Sequence, residues 1–198
     1  MDDAPSRHVD ELRKQISELQ QQLASVQRGD RHEPIENYTF DTPGNETVTL
    51  LELFGDQRDL IVVHNMGMNC PYCTLWADGF NGVLAHLESR AAFALASPDA
   101  TVDQQSFALQ RGWRFRMVST AHTNFTRALG FENEDGEQLA GLSAFTRTED
   151  DRIIRTGAAE FGPGDSFCPV WHCFGLLQDG AAGWSPKLQY PAQPPAAS

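Results

Sequence analysis

The chain has 198 residues, 40% of them hydrophobic and 21% charged, the composition of an ordinary soluble globular protein long enough for one domain with a sizeable core. Twenty-seven acidic against 15 basic residues give a formal net charge of −12, and the only lysines are Lys14 and Lys187, so nucleic acid and anionic membrane are poor partners. No apolar segment approaches the roughly 20 residues that cross a bilayer, and the polar start Asp2-Asp3 lacks the regions of a secretory signal. The expected location is cytoplasmic, where a cysteine pair is more often catalytic or metal-binding than a permanent staple.

Residues 1–30 read as a heptad helix. Val9, Leu12, Ile16, Leu19, Leu23 and Val26 recur at alternating intervals of three and four, an apolar a/d seam that must meet either a partner helix or the body of its own chain. The expectation drawn from its regularity is a homodimer. Gly29-Asp30 ends the helix. Tyr38-Thr39-Phe40 reads as a short strand closed by Pro43-Gly44-Asn45, the core begins at residues 48–54, and the apolar run Leu60-Ile61-Val62-Val63 is a strand reaching His64. After a short loop, residues 65–69, comes Cys70-Pro71-Tyr72-Cys73 at the head of a helix-competent stretch, residues 74–90, with Leu75, Trp76, Phe80, Val83, Leu84 and Leu87 on one face. Residues 93–96 are a further strand. Thr101 and Gln104 have the spacing of a capping box for a helix with Val102, Phe107 and Leu109 on its apolar face, closed by Gly112. A strand at 115–119, a short helix up to Gly130, a hairpin of 142–147 with 152–156, and a helix over 170–177 follow. Residues 191–198, rich in proline and alanine, are expected to be disordered. Strands alternating with helices give the α/β class, a mixed central sheet flanked by helices, over residues 31–190.

Cys70 carries the strongest chemical signal. A strand, a loop and a Cys-x-x-Cys at a helix start put its sulfur where unpaired N–H groups and partial positive charge favour the thiolate, and Pro71 suits the first helical position. Cys70 is the candidate nucleophile, and Cys73, one turn inside, the thiol that resolves a mixed disulfide. Tyr72, Trp76, Trp113 and His122 are candidates to line the groove around the thiols. In the second cluster, Cys168-Pro-Val-Trp-His172-Cys173, a five-residue separation on a regular helix turns the two sulfurs to divergent faces. The bland reading of this cluster is packing. Its sharper alternative is zinc held by Cys168, His172 and Cys173 together with Cys70 and Cys73.

The order of elements around the Cys-x-x-Cys, with Ser97-Pro98-Asp99 after a strand and Gly112-Trp113 before the next, resembles the thioredoxin fold. More narrowly, Val63-His64-Asn65-Met66, Trp76-Ala77-Asp78-Gly79-Phe80, His86-Leu87, Gly112-Trp113 and Gly141-Leu142-Ser143-Ala144-Phe145 resemble the domain-of-unknown-function 899 family of thioredoxin-like proteins, over roughly residues 35 to 190. The resemblance implies a thioredoxin-like sheet and a redox-active dithiol without a further cofactor. It also gives His64 a role, since thioredoxins carry a buried carboxylate at the equivalent spacing that exchanges a proton with the inner cysteine; an imidazole there would do so with a pKa nearer neutrality, and the other reading of His64 is a core histidine hydrogen-bonded to backbone. Three departures stand out. No proline precedes Gly141 opposite the site, the glutathione contacts of glutaredoxins are not evident, and residues 66–73 lack the Pro-x-x-x-Thr-x-x-Cys loop of peroxiredoxins. The leading expectation is a thiol–disulfide oxidoreductase acting on a protein disulfide or a small oxidant; the alternatives are a non-catalytic thioredoxin-fold binding module and a metal-binding protein.

Overall fold

The computed structural model describes residues 4–29, 33–44 and 46–191. Its elements follow in chain order as α1 (Ala4–Arg28), β1 (Glu33–Ile35), β2 (Thr39–Thr42), β3 (Glu46–Thr49), a 3-10 turn (Glu52–Phe54), β4 (Asp59–His64), α2 (Pro71–Glu88), β5 (Ala92–Ser97), α3 (Thr101–Arg111), β6 (Arg116–Ser119), α4 (Phe125–Ala128), β7 (Gly141–Arg147), β8 (Ile153–Glu160) and α5 (Val170–Phe174). The strands form one mixed sheet in the order β1-β8-β7-β4-β5-β6-β2-β3. β4, β5 and β6 are parallel, joined by α2 and α3, while β7 runs antiparallel to β4 and pairs with β8 as a hairpin. This is the α/β architecture with a thioredoxin-like centre that the sequence led us to expect. The expected disorder of the tail concerns residues 192–198, which lie outside the described residues. Among the described residues no helix is long and apolar enough to cross a membrane.

β4 reads as a continuous apolar run because both faces of the sheet are covered. Leu60 and Val62 enter a core with Phe40, Leu50, Phe54, Phe125 and Phe145, whereas Ile61 and Val63 enter a second core with Trp76, Phe80, Phe93, Leu95, Trp113 and Phe115 under α2 and α3. Several local expectations give way to tertiary packing. Thr101 is not a cap: Ala100 holds that position with no side-chain hydrogen bond, and Gln104 turns inward, donating to Ser97 and to the Val118 carbonyl. Val102 and Leu109, assigned to an apolar face, are 68% and 78% exposed, because only the Phe107 side of α3 meets the sheet. The last helix is one short piece, α5, and the core segment at 48–54 divides into a strand end and a 3-10 turn.

Candidate active site

The loop between β4 and α2 is fixed by side chains. Asn65 Oδ1 accepts from the Gly67 N–H at 2.8 Å, Asp99 Oδ2 accepts from the Met68 N–H at 3.0 Å, and the Cys70 N–H donates to the Gly67 carbonyl at 3.1 Å. Gly67 has a φ of +112°, and a Cβ there would sit 3.0 Å from an Asp99 carboxylate oxygen, so this path needs glycine.

Out of this loop the chain enters α2 with Cys70 as its N-cap and Pro71 at the head of the helix. The Cys70 sulfur occupies the place of a capping oxygen and accepts the Cys73 N–H at 3.1 Å. Cys73 is buried, the residue only 3% exposed, and its sulfur accepts the Met66 N–H at 3.4 Å. All four cysteines are free thiols. The geometry drives the two acidities apart. A hydrogen bond from the Cys73 side chain, aided by the backbone N–H groups of Cys73 and Tyr72, brings Cys70 down to about 7 against the opposing effect of its partial burial. The same bond, burial and the charge on Cys70 push Cys73 well above the ordinary thiol value. At neutral pH Cys70 is therefore balanced between thiol and thiolate, while Cys73 keeps its proton.

The thiols share an apolar cluster with Tyr72 and Trp76, and the chain after β8 returns to cover it with Phe161, Phe167, Val170 and Trp171. Tyr72 stacks with Trp171, ring centroids 6.2 Å apart, and Trp76 meets Phe161 at 5.2 Å. Sequence reasoning missed this cover; the signal was the density of aromatic side chains from residue 161 to residue 184. Cys168 is buried in the same cluster, with burial pushing its thiol up, while Cys173 is exposed. Cys168 precedes α5 and only Cys173 lies on it, so the regular-helix spacing does not describe this pair, and among the described residues no group of three or more His, Cys, Asp or Glu side chains could hold a metal ion.

Trp113 lies in the same core but is engaged elsewhere: its indole N–H donates to Asp78 Oδ1 at 2.8 Å, and Asp78 also pairs with Arg111. His122 is not drawn to the thiols; its ring is mostly exposed and pairs with Asp41 on β2 at 2.7 Å. The largest departure is His64. It follows the parity of Leu60 and Val62, so its ring enters the other core, stacked 3.9 Å from Phe131 and 5.4 Å from Phe125, with Nε2 3.0 Å from the Ser143 hydroxyl. Val63, not His64, faces the cluster of Cys73. Burial, reinforced by the positive charge of Arg155, lowers the His64 pKa to about 3, so the imidazole stays neutral where a shuttle would have to titrate. The expected near-neutral pKa is corrected, and the reason is burial between two phenyl rings.

Residues 6–184 match the family described as "Bacterial protein of unknown function (DUF899)", and the chain belongs to that family. No curated protein matches it at a significant level. Among solved structures it is similar to a peroxidoxin, BcpB, of Mycobacterium tuberculosis (16% identity, 66% of this chain and 84% of that one, TM-score 0.54). It is also similar to reduced Prx3 in complex with hydrogen peroxide from Vibrio vulnificus (16%, 68% and 89%, TM-score 0.55) and to a PrxQ mutant of Xylella fastidiosa (19%, 66% and 85%, TM-score 0.53). At such identities the likeness shows a common fold.

Proposed function

We propose that this member of the DUF899 family is a thiol–disulfide oxidoreductase whose working group is the Cys70–Cys73 dithiol. The observation that carries the reading is the split between the two acidities: a thiolate-prone sulfur at a helix N-cap, beside a buried sulfur that keeps its proton. The Cys70 thiolate attacks a substrate disulfide, forms a new S–S bond and expels one substrate thiolate. Cys73 then gives up its proton and attacks Cys70, releasing the second thiolate and leaving a Cys70–Cys73 disulfide, which an external dithiol reduces to close the cycle. A hydroperoxide would enter by the same first step: attack on its O–O bond gives an alcohol and a Cys70 sulfenic acid, which condenses with Cys73 to the disulfide and water. Tyr72, half-buried beside the nucleophile, is the side chain a substrate would touch first, whereas Trp76 is buried under Phe161 and packs the site from within.

The test uses a model aryl disulfide in a Cys173→Ser background, which removes the exposed thiol. Cys70→Ser should abolish the fast reaction, and Cys73→Ser should stop at a mixed disulfide on Cys70, visible by intact mass. Repeating the parent reaction with hydrogen peroxide separates the two substrate classes. If Cys70→Ser reacts as fast as its parent, the dithiol is not the working group and the binding-module reading takes its place.

A further inference from the structure

Helix α1 leaves the domain with its apolar seam uncovered. Its main contact with the body is at β8, where the Gln27 carbonyl and the Arg28 Cα lie 3.2 and 3.4 Å from the place a Cβ would occupy on Gly157. Glycine at 157 thus lets the helix end seat on the sheet. Beyond that seat Val9, Leu12, Ile16, Leu19, Leu23 and Val26 are between 43% and 77% exposed. A solitary helix of three heptads is marginal in water, so a seam this long calls for a cover.

We propose that the cover is α1 of a second copy of this chain, in a two-stranded coiled coil. The seam is self-complementary in its apolar chemistry, and its flanks carry no acid to oppose a second copy. Val9 and Ile16 at the first two a positions, with Leu12 and Leu19 at the first two d positions, are the choice that favours two strands. The flanks of the seam are His8, Gln15 and Gln22 on one side and Arg13, Gln20 and Gln27 on the other, with no carboxylate among them. Asp10, Glu11 and Glu18 fall on the outer face. Two chains of net charge −12 repel over most of their surfaces, and here they meet along an edge free of acid.

The size of the contact limits the affinity it can supply. Twenty-five residues make a helix about 37 Å long. A strip roughly 10 Å wide along it buries on the order of 400 Å² per chain, about half of a standard interface. A dimer that dissociates in the micromolar range is therefore expected.

Sedimentation of the full chain between about 1 and 100 µM should show a monomer–dimer equilibrium. Leu12→Glu with Leu19→Glu, which puts carboxylates into the seam, should raise the dissociation constant at least tenfold and leave the reaction of Cys70 with iodoacetamide unchanged, showing that the domain is still folded. A monomer across the whole range overturns the proposal and returns the seam to its own domain. A dimer that survives both substitutions overturns it in favour of another surface, and a trimer overturns the two-stranded form.

Discussion

Replacing Cys73 by alanine should slow Cys70 at neutral pH and speed it in alkali. The Cys73 side chain is the foremost cause of the low Cys70 pKa, and its removal leaves only the backbone N–H groups of Cys73 and Tyr72 to hold the anion. With a pKa of about 7, half of Cys70 is thiolate at pH 7; at the ordinary value of 9.0 only ~1% would be. The more basic thiolate is also the better nucleophile, by roughly tenfold over two pKa units at a Brønsted slope near 0.45. If the whole shift is lost, the variant attacks a disulfide about fivefold more slowly at pH 7 and up to about tenfold faster at pH 10, with the two profiles crossing near pH 8. The retained N–H groups make these upper limits. The assay is the initial rate of attack on a model disulfide from pH 5 to 10, again with Cys173→Ser. An inflection that stays near pH 7 in Cys73→Ala would refute the reasoning and leave the helix terminus alone as the source of acidity.

Acid should unfold this protein partly through His64. Its folded pKa of about 3 lies below the ordinary 6.5, so below pH 6.5 the unfolded chain takes up a proton that the folded chain refuses. Stability from this group is full above 6.5 and falls toward pH 3 at about 1.4 kcal/mol per pH unit. Urea unfolding at pH 4, 5 and 6 should show a shallower pH dependence for His64→Phe than for the parent, and equal slopes would contradict the burial argument. Gly141→Ala should be among the most damaging single changes, since the new Cβ would fall inside contact distance of both the Phe131 ring and the Ala159 carbonyl, a backbone group that cannot swing away. A loss of about 3 kcal/mol or more is expected, read as a lower denaturant midpoint, and an unchanged midpoint at unchanged slope would show that the β7–β8 hairpin yields at little cost.

What the sequence made legible is what neighbouring residues decide. The Cys70 cap, Pro71 behind it and the strand before it form one local grammar, and the structure reproduces it without adjustment. β1 escaped notice because three residues gain strand character only by pairing with β8, far along the chain. Gln104 was misread for a related reason: as a cap it needs only its own helix, but the carbonyls it serves belong to β5 and β6. His64 is the instructive case, because its face could have been read from strand parity. Alternation places residue 64 with Leu60 and Leu60's core, and only the sequence interval to Cys70 argued otherwise. Once the ring is there, Gly141 and Phe131 explain each other: the missing Cβ admits the phenyl ring, the ring stacks on the imidazole, and the stack keeps the imidazole dry and neutral. The groups that set the acidity of Cys70 therefore lie within α2 itself, and in the proposed cycle the Cys73 proton passes to the substrate thiolate as it leaves.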